Sequence, residues 1–460
     1  MTLFWPTLSA TVALAATMLI PTPASQPGPA APPVRLVVLD PGHFHAALVQ
    51  KSMYPTVSPQ VSVFAPAGPD LQAYEDRIRQ YNSRADNPTH WKPVVYTGSD
   101  YLNRLLTDKP GNVVVLSGNN RRKNGYIPQL VGAGMNVLSD KPMAIDKADF
   151  DRLKAAFATA ERKKVLLYDI MTERYEITNA LQRALAGVPA VFGQLERGTP
   201  DNPAVIKESV HHFFKYVSGQ PLVRPAWFFD VSQQGEGLVD VTTHLVDLIQ
   251  WSCFPDVKLN YQTDVAMHSA RRWPTTLTPA QFKQVTRQST YPDYLQNSRR
   301  DSLLDVYANG EMVYRLKGVT AKVAVRWNFE PPAGTGDLHY SLMRGSRAHL
   351  IIEQGATQQY KPVLYVKPVA GQTTDSFEKA LQTALATLQT TYPGLTLIRQ
   401  GDKWQIGIPE RYEVGHEAHF KQVADAYFRY LSARKLPAWE VPNMLAKYYT
   451  TTQALQMASR

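Results

Sequence analysis

The sequence predicts a doubly wound, parallel α/β sheet followed by an α+β domain with a large, mainly antiparallel open sheet. Three observations carry that prediction. Short, almost wholly apolar runs such as RLVVL at 35–39 and NVVVL at 112–116 alternate with helical stretches over the first 170 residues. Such runs suit parallel strands buried on both faces. Beyond about residue 190 the apolar runs lengthen and alternate with polar positions, as strands with one solvated face do. The chain of 460 residues also exceeds what one core usually organises.

Taken in order, 35–39 is the first strand and Asp40-Pro41-Gly42-His43-Phe44-His45 a tight turn leading into a helix at 46–51. A strand at 61–65, a helix at 70–82, a short strand at 93–97 and the buried strand at 112–116 follow. Helix 126–134, strand 135–139, helix 147–162 and strand 165–168 complete an alternation that implies parallel crossovers. Next come a strand at 191–197, a Pro- and aromatic-rich stretch, and an apolar helix at 237–251. Strands at 302–307, 312–317, 322–329, 337–343, 348–353 and 363–366 then build the second sheet. An amphipathic helix spans 375–390, and a hairpin over 395–408 turns at Gly401-Asp402. The last predicted helix, 417–431, lines Phe420, Val423, Tyr427 and Leu431 along one face. The predicted domains are 34–170 and 171–460.

The first 34 residues carry no charged side chain, and a short apolar run over 8–20 precedes Pro21, Thr22, Pro23, Ala24 and Ser25. This reads as a signal peptide over 1–25, with export to the periplasm, followed by a Pro/Ala linker at 26–33. The run is short for a bilayer span, so no membrane segment is expected after processing. The single cysteine, Cys253, excludes an intramolecular disulfide and reads as a buried thiol. The formal net charge of +10 is scattered, with one tight cluster at Arg121, Arg122 and Lys123. That pattern argues against nucleic acid and suits an anionic small ligand.

Three segments carry chemistry. The turn after the first strand offers Asp40, Gly42 and His45 where a dinucleotide fingerprint has three glycines. Gly42 is the position that lets backbone approach phosphate; His43 and His45 either donate to a pyrophosphate or block it. No ribose-binding acid follows the second strand, which ends in Ala65-Pro66. Second, Ser139-Asp140-Lys141-Pro142 puts a lysine at the carboxyl edge of a parallel sheet, where ligands bind. Such a lysine can donate to a hydroxyl or carbonyl oxygen and relay a proton; alone, Asp-Lys-Pro reads more simply as a surface turn. Third, Asp240, His244 and Asp247 fall at i, i+4 and i+7 on an otherwise apolar helix. A narrow polar stripe on a buried helix faces either a cavity or a satisfied hydrogen-bond network. Glu208, His211 and His212 lie among Phe213, Phe214 and Tyr216 and suit a sugar subsite better than a metal, so no metal site is expected. Glu173 and Arg174 follow a strand end and line the same expected cleft.

Together these segments resemble the Gfo/Idh/MocA oxidoreductases, in particular an exported subgroup with its own C-terminal domain. The marks are Asp140-Lys141-Pro142 where the family has Glu-Lys-Pro, and the loop Ser117-Gly118-Asn119-Asn120 where it has Thr-Pro-Asn. The Asp240-x-x-x-His244 helix after a Gly-rich turn and the stretch from Asp40 to Ala47 complete them. The resemblance implies a Rossmann-type domain holding NAD or NADP and a sugar or glycoside substrate. It also implies a homo-oligomer built through the open sheet. It assigns Lys141 to the reacting hydroxyl, His244 to the general base, and Asp240 to positioning the substrate or tuning His244. The cofactor set would be Gly42, His43, Phe44, His45, Ser117, Gly118, Asn119, Asn120, Asp140 and Lys141. The substrate set would be Glu173, Arg174, His211, His212 and Asp247. The expected activity is NAD(P)-dependent oxidation of a secondary sugar hydroxyl, or reduction of the keto group, with tightly bound cofactor. Two alternatives are an NAD-dependent glycosidase or lyase working through a transient keto-sugar, and a non-catalytic sugar-binding protein.

Overall fold

A computed structural model describes residues 33–217, 220–372 and 374–460. The signal peptide expected at 1–25 and nearly all of the linker at 26–33 lie outside the described residues. The first sheet contains β1 (Leu36–Leu39), β2 (Gln60–Phe64), β3 (Lys92–Tyr96), β4 (Val113–Leu116), β5 (Asn136–Asp140) and β6 (Leu167–Ile170). Its order is β3-β2-β1-β4-β5-β6, and every pairing is parallel. β1 and β4 are buried along their whole length, which explains their unbroken aliphatic sequences. The strand order reverses between them, and the crevice at their carboxyl ends is the place where this topology receives ligands.

The second sheet has ten strands. Its central strand, Val205–His212, runs parallel to Val319–Asn328 and antiparallel to Leu338–Arg344. Helices Ile177–Ala186, Thr242–Cys253 and Thr374–Leu388 share one apolar core with this sheet. Among the described residues, no helix is long and apolar enough to cross a membrane.

Several elements depart from expectation. The segment 191–197 begins as a turn, with Val191 and Phe192 buried and their amides closing back on Val188, and only Leu195 bridges Gly345, so no strand forms there. Helix Asn120–Gly132 starts six residues before its apolar stretch, because the Asn119 side chain caps it by accepting from the Arg122 amide. Strand Val265–Leu277 was not foreseen; it carries Pro274 and two arginines, which suit an edge strand paired on one side with Leu303–Leu316. Helix Glu440–Ala458 was also missed. Its buried Thr450, Thr451 and Thr452 hide any apolar stripe, and each hydroxyl donates to a carbonyl of the preceding turn.

The two C-terminal helices return to the first sheet. Phe420, Val423 and Tyr427 of helix His416–Ala433, and Met444 and Tyr448 of the last helix, belong to the core around β1–β6. Ala446 and Ala454 of the last helix belong to the core of the second sheet. A buried charge network reinforces this junction. Lys447 Nζ lies 2.7 Å from Asp169 Oδ2 at the end of β6 and 2.8 Å from Asp247 Oδ1 in helix Thr242–Cys253. Arg174 grips Asp247 with two hydrogen bonds of 2.6 and 2.7 Å and reaches Glu440 at 2.9 Å. Tyr448 donates to Asp169, and Tyr168 to Glu440. Removing one member of a buried pair strands the others, at a cost of about 3–5 kcal/mol. Lys447→Met is therefore expected to lose about that much stability in urea unfolding; a loss below about 1 kcal/mol would show that the network does not join the two sheets.

Candidate active site

A cavity of about 440 Å³ opens at the carboxyl ends of β1, β4 and β5, against the end of the second sheet. β5 delivers Asp140 and Lys141 to it, joined to Pro142 by a cis peptide bond. Asp140 is fixed on every side. Ser117 Oγ donates to its Oδ2 at 3.0 Å, the Lys141 amide to its Oδ1 at 2.9 Å, and buried Lys123 to its carbonyl at 2.6 Å. His45 Nδ1 lies 3.0 Å from Oδ2, while His43 Nδ1 lies 3.4 Å from the same oxygen without hydrogen-bond geometry. Burial by itself would raise the Asp140 carboxyl, but the two imidazoles beside it hold it well below the ordinary carboxylate range. Burial pushes the Lys123 ammonium down to about 8.

The opposite bank is the turn before helix Thr242–Cys253. Gly237 lies so close to strand Leu303–Leu316 that a Cβ there would meet the Ala308 carbonyl at 2.0 Å, so only glycine allows the approach. Hydroxyls of Thr242 and Thr243 donate back to Leu238 and Val239 carbonyls and tighten the helix start. Asp240 thus stands one turn before His244, and both face the cavity. Lys141 Nζ donates to Asp240 Oδ1 at 2.6 Å, and Gln234 Nε2 to Oδ2 at 3.1 Å. Burial opposes ionisation of Asp240, yet the adjacent ammonium holds its carboxyl below the usual value. His244 Nδ1 is buried with no hydrogen-bond partner. Burial first, and the Lys141 charge second, push its imidazole down to about 4, so it is neutral at neutral pH.

The far wall comes from the second sheet. His211 leans on Trp327 with ring centroids 5.1 Å apart, and Arg224 lies over Phe228 and Trp327. Lys215 Nζ donates to Asp337 Oδ2 at 2.6 Å. Glu173 lines the floor beside His416 Nδ1, 3.3 Å away.

Of the residues picked from sequence, His43, Phe44, His45, Gly118, Asn120, Asp140, Lys141, Glu173, His211, Asp240 and His244 line one cavity. Others are placed elsewhere. Asp247 and Arg174 do not contact the cavity: helix Thr242–Cys253 begins after Asp240, and both Asp247 oxygens are spent on Arg174 and Lys447. They hold the scaffold and are not free to bind substrate. His212 points to the other face of its strand and pairs with Asp337 at 2.8 Å. Ser117 is spent on Asp140, and Asn119 caps a helix while donating to Gln233. Gln234, Arg224, Trp327, Asp337 and His416 were not singled out, because only tertiary folding brings them to the cleft.

The fit of a dinucleotide divides in two. Phe44, Gly118, Asn120 and Lys141 leave room for a nicotinamide beside the Asp240–His244 bank. At the pyrophosphate end, the Gly42 and His43 amides both donate to the Ser117 carbonyl at 3.2 Å. A Cβ on Gly42 would meet the Asp70 carboxylate at 3.0 Å and the Trp227 ring at 3.3 Å, and these two are hydrogen-bonded to each other. Over Gly42 therefore lie a carboxylate, the ring of Trp227 buried in an aromatic cluster, and the Gly118 backbone 3.5 Å away, so this end of the turn is closed in the structure. Arg122, 3.1 Å from Asp40, is the cation at hand there.

The family described as "Putative oxidoreductase C terminal domain" matches residues 181–459. A crystal structure of a putative oxidoreductase from Parabacteroides merdae is 53% identical, with a TM-score of 0.91, covering 93% of this chain and 98% of that one. A 3-ketoreductase from Actinomadura kijaniata, in complex with NADP and TDP-benzene, is 15% identical with a TM-score of 0.57, covering 92% and 98%. A levoglucosan dehydrogenase, in complex with NADH and L-sorbose, is 13% identical with a TM-score of 0.58, covering 92% and 96%. No curated protein matches the chain. At the lower identities the likeness is one of fold, a Rossmann-type sheet followed by a large mixed sheet. With that domain matching more than half of the chain and a 53% identical structure spanning nearly all of it, the chain belongs to the Gfo/Idh/MocA-type oxidoreductases that carry this C-terminal domain.

Proposed function

We propose that the protein oxidises a secondary hydroxyl of a sugar or glycoside, or reduces the corresponding keto group, with NAD or NADP. One observation carries the reading: Lys141 from the first sheet and Asp240 and His244 from the second region meet on one cavity, with the His244 nitrogen unpartnered. Two proteins of the same fold, the 3-ketoreductase in complex with NADP and the levoglucosan dehydrogenase in complex with NADH, support it. Export of the chain and assembly through the open sheet belong to the same proposal.

When bound, the nicotinamide would accept or return a hydride; Phe44, Gly118 and Asn120 would hold it, with Arg122 near its phosphates. The remaining work falls to the chain. Lys141, anchored by Asp240, presents N–H donors to the reacting oxygen and stabilises charge that builds there. His244, neutral and unpartnered, takes the hydroxyl proton in oxidation. Gln234 keeps Asp240 from rotating away from Lys141. Trp327 and His211 offer ring surface to the apolar face of a sugar, and Arg224 and Lys215 offer donors beside it.

Protein purified without added cofactor, then denatured, is expected to release near-stoichiometric NAD or NADP by mass spectrometry. No release, together with no binding of added NAD(P)(H), would contradict the reading. Lys141→Met and His244→Gln are each expected to lower kcat by about 10²–10⁴-fold while retaining the dinucleotide.

The acid limb of the rate profile should lie near pH 4, where His244 protonates in the folded protein, and not near the ordinary 6.5. The sign for stability follows. Between 6.5 and about 4 the unfolded chain binds a proton at this position and the folded chain does not, so acidification costs stability. His244→Gln removes that slope, so its unfolding free energy should fall less than the parent's over this window. Parallel curves would place the imidazole in solvent.

A further inference from the structure

We propose that His43, His45 and Asp140 form a binding site for one divalent transition-metal ion, of the zinc class, at the inner end of the cavity. The three residues come together from the β1 turn and the end of β5, and their ligand atoms lie within 4.8 Å of one another. Asp140 Oδ2 is the shared point, 3.0 Å from His45 Nδ1 and 3.4 Å from His43 Nδ1. With metal–ligand bonds of about 2.0–2.2 Å, donor pairs at such separations subtend about 90–110° at the ion, the range from octahedral to tetrahedral edges. Hydrogen bonding alone does not account for the cluster. Asp140 Oδ2 already receives Ser117 Oγ and His45, and His43 Nδ1 is buried beside it with no partner at all. A buried ring nitrogen without a partner calls for an explanation, and an ion shared with the neighbouring imidazole and carboxylate supplies one.

The donor set has the chemistry for it. Two imidazoles and a carboxylate are a three-ligand set that leaves a further position open, as in zinc sites that take water or substrate. Here that position would face the cavity, which all three residues line. The surroundings fix the ligands as outer-shell groups of metal sites do. The Lys141 amide holds the second Asp140 oxygen, Phe420 packs on the His45 ring at 4.7 Å, and the His43 and His45 rings meet edge to face at 4.1 Å. An ion here would lie at the same cavity as Lys141 and His244, where it could polarise a substrate oxygen without taking part in hydride transfer. The inference goes beyond the proposed reaction and does not require it.

The test uses the full protein. Metal content is measured after purification without chelator; the EDTA-treated protein is then titrated with Zn²⁺ by calorimetry and with Co²⁺ by visible absorption. About one ion per chain, removable by chelator, with a Co²⁺ spectrum of low coordination number, is expected. His45→Ala should weaken Zn²⁺ binding by more than about 100-fold. His43→Gln should do the same, and, because the His43 side chain makes no hydrogen bond to lose, it should match the parent's circular dichroism and, with both proteins metal-free, its melting temperature. Protein that neither contains nor binds Zn²⁺ or Co²⁺, or binding that persists unchanged in a His43→Gln, His45→Ala double variant, would overturn the inference. Dinucleotide release from protein that neither contains nor binds Zn²⁺ or Co²⁺ would overturn this inference alone and leave the proposed reaction standing.

Discussion

The buried pairing of Asp247 with Arg174 and Lys447 is the constraint on which the cleft depends. Charges removed from water persist only when every partner is in place, so such a cluster tolerates little displacement. This one collects the end of β6 through Asp169, the turn after it through Arg174, helix Thr242–Cys253 through Asp247, and the last helix through Lys447 and Glu440. Asp247 lies three residues, about 4.5 Å of helix rise, beyond His244. Fixing Asp247 therefore fixes the depth at which His244 and Asp240 meet Lys141. The ion pair between Lys141, after β5, and Asp240, in the turn before helix Thr242–Cys253, can be held at 2.6 Å only if that helix does not slide against the first sheet.

Within that frame, pairing and its absence separate structural from reactive groups. Asp140, Asp240, Glu173 and Asp337 each have a cation or imidazole within reach. Three imidazole nitrogens in the cavity, on His43, His244 and His339, have none. A buried donor or acceptor left open is costly for folding and useful for chemistry, because a substrate or ion can complete it. The β1 turn shows the same economy from the other side. Its amides are satisfied internally by Ser117, and its side chains, not its backbone, face the cavity.

Much of this was legible in the sequence where one physical rule acted alone. The parallel strands were visible because burial on both faces demands unbroken aliphatic runs such as Val113–Leu116. Asp240 and His244 stood out because polar groups aligned on an apolar helix need a reason to be there, whereas Lys141, by itself a turn residue, gained its role only from the family resemblance. Elements governed by tertiary partners were hidden. Helix Asn120–Gly132 begins in polar residues that are buried and hydrogen-bonded across the fold, Asn120 to Gln234 and Asn124 to Asp149. Helix Glu440–Ala458 packs on two cores and shows no single apolar face. Asp247 was misplaced because a spacing of i+7 reports a shared face, not what lies opposite, and Arg174 lies opposite. His416 and Trp327 reach the cleft from elements 172 and 83 residues beyond His244, a distance that periodicity does not bridge.

The central claim is that this cleft moves a hydride and a proton between a sugar and a bound nicotinamide. Its most direct test is a single-turnover experiment. Protein loaded with oxidised NAD or NADP is mixed with a panel of sugars and glycosides, and the absorbance of reduced nicotinamide is followed. The account predicts a burst with at least one sugar, abolished in His244→Gln and Lys141→Met with the nucleotide still bound. Fully loaded protein that binds sugars yet shows no reduction, in either direction of the reaction, would contradict it.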